Sequence, residues 1–214
     1  MRYFFTTALL AATCLAQTPP PSGESASATR GMPARATPSD YQAHATAGKV
    51  SVGAEFFQHS VPTPQGMLTT EDYVVVEAAL FGPQTKISFE NFALRINGKK
   101  NPQASEPYAL VFKSLKDPEW EPPVPAEAKG SKTAITSGGG GKAAGDPPPI
   151  VHVPIKIQRD WEARATKAAF PEGDRVLPQA GLLFFQYRGK ASSIHSLELI
   201  YTGPEGKASL NLQP

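Results

Sequence analysis

The stretch YVVVEAALF, residues 73–81, constrains the fold of this chain more than any other segment. Side chains alternate between the two faces of a strand, so one face here is wholly apolar: Val74, Val76, Ala78 and Leu80. Glu77 lies on the opposite face, which we expect to be the wetter one. The run lacks the 3.6-residue spacing of a helix, and valine packs well on a pleated sheet. The sequence predicts a strand at the centre of a sheet, ended by the Gly82-Pro83 pair.

Further segments show the alternation of apolar and polar residues that is typical of half-buried strands. They cover residues 49–57, 92–96, 108–113, 150–157, 196–202 and 207–213, whereas residues 181–187 are apolar on both faces and predict an interior strand. Asn97 and Gly98 tolerate positive φ and predict a type I′ hairpin turn. Pro154 has no N–H group to donate, which predicts an edge strand there. Residues 59–70 contain two prolines and a glycine and are predicted to form a loop.

One segment, residues 160–170, has helical rather than alternating spacing. Trp161, Ala165 and Ala168 share one face of such a helix. Asp160 is suited to cap its first turn. The sequence therefore predicts one short helix that ends before Pro171.

Short antiparallel strands separated by turns define the expected fold class. We expect a mainly β domain over residues 47–214, an immunoglobulin-like antiparallel β-sandwich of seven or eight strands with one short helix. Residues 121–149 contain four consecutive glycines and end in three prolines, which predicts a long disordered Pro/Gly-rich insertion. This insertion is not a phosphate-binding loop, because Thr136 and Ala143 stand where that motif requires glycine and serine or threonine.

The amino-terminal residues are predicted to be a targeting segment and a tether. Arg2 precedes an apolar stretch too short to span a bilayer, so residues 1–16 read as a signal peptide cleaved after Ala16. The alternatives are that this segment is retained as a membrane anchor or that a lipid is attached to Cys14. Cys14 is the only cysteine, so cleavage would leave neither a disulfide nor a thiol nucleophile. Residues 17–46 are rich in small and turn-forming residues and predict a disordered tether, in which Tyr41 is the one bulky side chain that could dock on the domain.

Three segments together resemble a known family. YVVVEAALF, FALRING and RVLPQAGLLFFQYRGKASSIHSLELIYTGPEGKASLNL are similar to the strand-and-turn pattern of an immunoglobulin-like domain family, of unknown function, in bacterial secreted proteins and lipoproteins. The resemblance covers residues 72–98 and 176–212. It implies an envelope or extracellular location and supplies no catalytic residues.

Residues 117–123, DPEWEPP, contain the candidate contact site. Prolines on both sides of Trp120 exclude a regular helix or strand. Trp120 is therefore either an exposed aromatic that contacts a partner or part of a lid that packs back over the core. Asp117, Glu119 and Glu121 are candidate contacts beside it.

No recognised catalytic or metal-binding motif is found. The four histidines, His44, His59, His152 and His195, have no partner at a known metal spacing, and no nucleophile-elbow motif is present. We expect no cofactor and no enzymatic activity. The net charge is only +2 and the one basic pair is Lys99-Lys100, so we do not expect nucleic-acid binding.

The sequence leaves three functions open. The first is a non-catalytic secreted or periplasmic domain that binds another envelope protein, with no membrane span after the leader is removed. The second is a carbohydrate-binding module that uses exposed aromatics, for which the candidates are Trp120, Trp161, Tyr187 and Tyr201. The third is a metal carrier or hydrolase.

Overall fold

The computed structural model describes residues 30–122 and 152–214 and shows a mainly β, antiparallel fold. Its strands are β1 (Ala43–Ala47), β2 (Val50–Phe56), β3 (Ser60–Thr63), β4 (Gly66–Thr70), β5 (Tyr73–Phe81), β6 (Thr85–Ile87), β7 (Phe92–Ile96), β8 (Gln103–Ala104), β9 (Leu115–Lys116), β10 (Gly173–Arg175), β11 (Gln179–Gln186), β12 (Leu197–Gly203) and β13 (Gly206–Leu212). Helix α1 spans Ile155–Ala168. The prediction of a mainly β domain with several antiparallel sheets and few helices is confirmed.

Two four-stranded sheets form a sandwich. One has the strand order β1-β2-β5-β11 and the other the order β13-β12-β7-β8. The largest apolar core lies between them and includes Val76 and Phe185 from the first sheet and Leu94 and Leu199 from the second. These two sheets contain eight strands, and the described residues contain five further short strands outside them, so the predicted count of seven or eight fits the sandwich alone.

Strand β5 is central, as predicted, because β2 and β11 pair with it on either side. The expectation that its Glu77 face is the wetter one is wrong. Glu77 is only 4% exposed, and Val75 on the same face is fully buried. This face is covered by a third layer, so both faces of β5 need apolar side chains.

The third layer consists of α1 and the small sheet β3-β4-β9. Residues 59–70, predicted as a loop, instead form the β3–β4 hairpin. Val61 and Leu68 face each other across it, and both are fully buried. The prediction failed because the prolines and glycine mark the turn and the edge of this hairpin, while the burial of two apolar residues stabilises its strands.

Helix α1 begins earlier than predicted. Residues 155–157 are helical rather than an edge strand, and Asp160 lies inside the helix instead of capping it, while residues 150 and 151 lie outside the described part. Pro154 stands at the N-cap, so its missing N–H costs the helix nothing. Ile157 packs in the same core as Trp161, which is the i, i+4 spacing of a helix.

The strand predicted over residues 108–113 is also wrong. Two consecutive 3₁₀ turns, Tyr108–Leu110 and Phe112–Ser114, occupy these positions. The rings of Tyr108 and Phe112 pack at a centroid distance of 5.8 Å. Alternation over six residues cannot be distinguished from this spacing by sequence alone.

Residues 30–46 belong to the fold, so the tether predicted through residue 46 is too long. Strand β1 pairs along its whole length with β2. Tyr41 docks as expected, with 4% exposure and its ring against Phe81 and Gly53. The predicted signal peptide, residues 17–29 of the tether and residues 123–149 of the insertion lie outside the described residues.

The outer edge of β11 is closed by three separate segments. The main-chain N–H groups of Met32, Phe170 and Glu106 donate at 2.8–2.9 Å to the carbonyl oxygens of Ala180, Leu182 and Phe184. An unpaired edge invites pairing with another chain, and this capping removes that possibility at β11.

The turn at Asn97 and Gly98 has the predicted positive φ values of 52° and 64°. The chain does not return in a two-residue hairpin, however, because β8 pairs with β7 only at Gln103–Ala104. The Asn97 side chain instead holds residues 193–196. Its Nδ2 donates to the Ser193 carbonyl at 2.8 Å, and its Oδ1 accepts the His195 N–H at 2.7 Å.

Candidate functional site

A cavity of about 360 Å³ lies between α1 and the segment that leads into the predicted contact residues. We call it the α1 groove. It is lined by Phe112, Lys113, Leu115, Val153, Gln158, Trp161 and Glu162. Apolar side chains and three polar or charged groups are therefore presented together.

Both walls of the α1 groove are fixed by buried contacts. On the helix side, Trp161, Ala165 and Ala168 are buried against the central sheet, which places Gln158 and Glu162 along the flank of α1. On the other side, Leu115 pairs with Thr70 of β4, and the hydroxyl groups of Thr70 and Ser114 bond at 2.6 Å. A groove held this way needs little reorganisation on binding.

Asp117 anchors the predicted contact loop to the helix. Its Oδ2 accepts a hydrogen bond from Arg164 Nη1 at 2.9 Å, and these two side chains are 16% and 11% exposed. Its Oδ1 accepts the Glu119 N–H at 3.0 Å, and its carbonyl accepts the Trp120 N–H at 3.2 Å. Asp117 therefore positions the loop, while the side chains of Glu119 and Glu121 are exposed.

Trp120 lies half-buried against Trp161. The ring centroids are 6.1 Å apart and the planes meet at 82°, an edge-to-face arrangement that aromatic pairs favour. Trp161 itself is only 5% exposed. Trp120 therefore packs on the core and is also partly exposed to solvent, so each of the two interpretations that the sequence leaves open fits it in part. Its contact with a partner stays a prediction.

Sequence reasoning missed the α1 groove, because none of its lining residues lies within the predicted contact residues 117–121. Gln158 and Glu162 stand at helical spacing beside Trp161, so a correct helix start would have placed them on one flank. Arg164 carried a weaker signal, its i, i+4 spacing from Asp160, which lies 3.9 Å away. Nothing in the sequence indicates the contact between Arg164 and Asp117, which are far apart in the chain.

A second cluster joins two carboxylates and an arginine on the outer face of the first sheet. Glu55 and Glu77 stand directly opposite each other on β2 and β5. Arg35 binds both, with its Nη2 at 3.3 Å from Glu77, and its guanidinium lies 4.4 Å from the centre of the Tyr41 ring. Arg35 binds these carboxylates and Tyr41 packs on the same face, so the cluster fastens residues 30–42 to the sheet.

Burial raises the pKa of Glu77, and the charge of Glu55 acts in the same direction, while Arg35 opposes them. A carboxyl whose pKa is raised on folding binds its proton more tightly in the folded state. Its contribution to stability is therefore fully present below the ordinary pKa of a glutamate. That contribution is lost as the pH rises through the raised value.

We accordingly expect Glu77→Gln to flatten the pH dependence of stability above the ordinary glutamate pKa of 4.5. The free energy of unfolding of the unsubstituted chain should rise, relative to the variant, as the pH falls towards this value. Urea unfolding at several pH values measures it. The matched control is Glu90→Gln, which changes an exposed carboxylate and should show the same pH dependence as the unsubstituted chain. If the stability of Glu77→Gln also varies with pH in parallel with the unsubstituted chain, the raised pKa of Glu77 is contradicted.

The remaining polar and aromatic candidates are dispersed. His59 contacts the carbonyl oxygens of Tyr73 and Gly189 at 2.7 and 3.0 Å, whereas His44, His152 and His195 are exposed. Within residues 30–122 and 152–214 no group of three or more His, Cys, Asp or Glu side chains is placed to hold a metal ion. Of the aromatics considered for glycan binding, Tyr201 is fully buried, Trp161 is buried and Tyr187 is half-buried.

Comparisons with protein-family models, with curated proteins and with solved structures give no match to this chain. In the part of the chain that the structure describes, no helix has both the length and the hydropathy needed to cross a bilayer.

Proposed function

We propose that this chain is a non-catalytic, immunoglobulin-like binding domain, secreted or periplasmic, that recognises another protein of the cell envelope through the α1 groove. The predicted signal peptide supports the compartment. The placement of Trp120 supports the surface: this large aromatic lies half-buried against Trp161, which lines the α1 groove, on a loop held by a nearly buried ion pair. Interfaces derive most of their affinity from such pre-organised aromatic anchors.

The role of Trp120 is tested by Trp120→Ala. We expect recovery of the partner, in a cross-linking pull-down of the tagged mature domain from the native envelope, to fall at least about tenfold, which corresponds to about 1.4 kcal/mol. Stability should fall by only about 1 kcal/mol, because the ring is half-buried and loses one edge-to-face contact. Quantitative mass spectrometry of the captured proteins measures the first effect, and urea unfolding measures the second.

Val176→Ala is the matched control, since Val176 is an apolar side chain that is 69% exposed elsewhere on the surface. It should leave recovery of the partner unchanged. Equal recovery with the unsubstituted chain and with Trp120→Ala would show that the α1 groove is not the contact surface. If the mature domain retains a glycan instead of a protein, and Trp120→Ala abolishes that retention, the carbohydrate-binding alternative is favoured.

A further inference from the structure

We propose that His59 is a pH-sensitive clamp, which holds the loop between β11 and β12 in place when its imidazole ring is protonated. This loop, residues 187–196, supplies Ala191, Ser192, Ile194 and His195 to the lining of a second cavity of about 510 Å³. The clamp lies apart from the α1 groove and does not depend on the proposed function. It follows from the partners of the two ring nitrogens.

Each ring nitrogen of His59 meets a main-chain carbonyl oxygen. Nδ1 lies 2.7 Å from the Tyr73 oxygen, and Nε2 lies 3.0 Å from the Gly189 oxygen. A carbonyl oxygen only accepts hydrogen bonds, and a neutral imidazole carries a hydrogen on just one of its nitrogens. Both contacts are therefore hydrogen bonds only in the imidazolium form. In the neutral form one of them sets two acceptors against each other, which is unfavourable.

The two carbonyl oxygens belong to segments that differ in their support. Tyr73 begins β5, which is paired on both sides by β2 and β11. Gly189 lies beyond the end of β11, in the loop itself. Loss of one hydrogen bond is therefore expected to release Gly189 and to leave the bond from Nδ1 to Tyr73 in place.

The far end of the loop has its own anchor, the side chain of Asn97, which bonds to residues 193–196. Between this anchor and Gly189 lies a short 3₁₀ turn, Ala191–Ser193. The N–H groups of Ser193 and Ile194 close the turn by bonding to carbonyl oxygens three residues earlier, at 2.9 and 3.0 Å. Release of Gly189 frees one side of this turn, and the cavity wall that it forms loosens with it.

No carboxylate supplies a counter-charge to the ring, since none in residues 30–122 and 152–214 lies within ion-pair distance of His59. The ionisable side chains on the segments around the ring are those of Asp72, Tyr73, Tyr187, Arg188, Lys190 and His195. Asp72 and Arg188 pair with each other at 3.0 Å, and Lys190 and His195 are exposed.

The sign of the response follows from the donors. Two carbonyl oxygens hold the protonated ring, so the clamp is closed when the ring carries its second proton. Histidine side chains ordinarily titrate at about pH 6.5. The clamp should therefore open as the pH rises through the neutral range.

Amide hydrogen exchange tests the clamp, followed by NMR on the mature chain at about pH 5.5 and about pH 7.5 and corrected for the intrinsic pH dependence of exchange. We expect the protection of the Ser193 and Ile194 amides to fall about three- to tenfold at the higher pH, because the loop loses one hydrogen bond. The Tyr187 amide bonds to the Asp72 carbonyl at the end of the sheet and should keep its protection.

His59→Gln should remove the response, because a single amide nitrogen cannot span the two carbonyl oxygens that two ring nitrogens reach. Ser193 and Ile194 should then show the lower protection at both pH values. His195→Gln is the matched control, since it changes an exposed histidine of the same loop and should leave the response intact. Equal protection at the two pH values in the unsubstituted chain, or a response that persists in His59→Gln, would overturn the proposal.

A second measurement needs no substitution, because NMR can observe the ring hydrogens of His59 directly. At about pH 5.5 both ring N–H hydrogens should be visible, since a hydrogen bond to each carbonyl oxygen slows their exchange with water. At about pH 7.5 only the hydrogen on Nδ1 should remain. A single bonded ring N–H at the lower pH would also overturn the clamp.

Discussion

Trp161→Ala is expected to lower the free energy of unfolding by about 3–5 kcal/mol, the usual cost of removing a buried tryptophan side chain. Trp161 is 5% exposed and packs in the core between α1 and the central sheet. Its loss opens a cavity there and removes the surface on which Trp120 lies. Urea unfolding should show a lower midpoint with an unchanged denaturant dependence.

Two variants control this prediction. Trp161→Phe keeps most of the apolar contact and should cost only about 1–2 kcal/mol. Lys156→Ala changes an exposed position of the same helix and should stay within about 0.5 kcal/mol of the unsubstituted chain. A loss below about 1 kcal/mol for Trp161→Ala would mean that the core between α1 and the central sheet contributes little to stability. Emission from the remaining Trp120 should shift to longer wavelength, as that ring becomes more exposed.

The sandwich was predictable because its strands are long and regularly patterned. Residues 73–81 form β5 with the predicted bounds, and β12 and β13 lie within one residue of the predicted strands 196–202 and 207–213. The sandwich strands follow a period of two and end at turn residues. The same rule failed at residues 108–113 and 150–157, because a period of two over six to eight residues does not exclude a helix or consecutive turns.

The third layer was not predictable from pattern alone. The wholly apolar face of β5 correctly indicated a core, but Glu77 on the other face suggested solvent. A buried carboxylate with a cationic partner cannot be distinguished in sequence from an exposed one, and the partner, Arg35, lies in a segment whose composition indicates a tether. Composition reports the average tendency of a segment, whereas β1 and Tyr41 are held by specific pairings with β2 and β5.

The candidate site, like the fold, could be predicted from the sequence only in part. Trp120 and its flanking carboxylates could be singled out from their neighbours in sequence, because a tryptophan among prolines has no place in a regular element. The cavity beside it depends on α1 and on the turn at Phe112–Ser114, both of which the pattern placed incorrectly. The local chemistry could therefore be predicted from the sequence, whereas the surface built by distant segments could not.

Arg35→Met is expected to lower the free energy of unfolding by about 2–3 kcal/mol at neutral pH. It leaves Glu55 and Glu77 opposite each other without a cation, and the Glu77 side chain is only 6% exposed. Breaking a buried ion pair costs about 3–5 kcal/mol. We expect less here because the side chains of Arg35 and Glu55 are 33% and 30% exposed and water screens them. Urea unfolding measures the effect.

The cause can be isolated by repeating Arg35→Met in a Glu77→Gln background. With no buried charge to leave unpaired, the substitution should cost only about 0.5–1 kcal/mol, so the double-mutant cycle should give a coupling of about 1.5–2 kcal/mol. The loss should also shrink as the pH falls, because a protonated Glu77 no longer needs the guanidinium and its pKa is already raised by burial. Equal losses in both backgrounds and at every pH would mean that Arg35 acts through its contacts with Tyr41 and the Asp40 carbonyl instead. The coupled result would show that Arg35 stabilises the fold by pairing with the buried Glu77 charge, beside the contacts that Tyr41 and Met32 make.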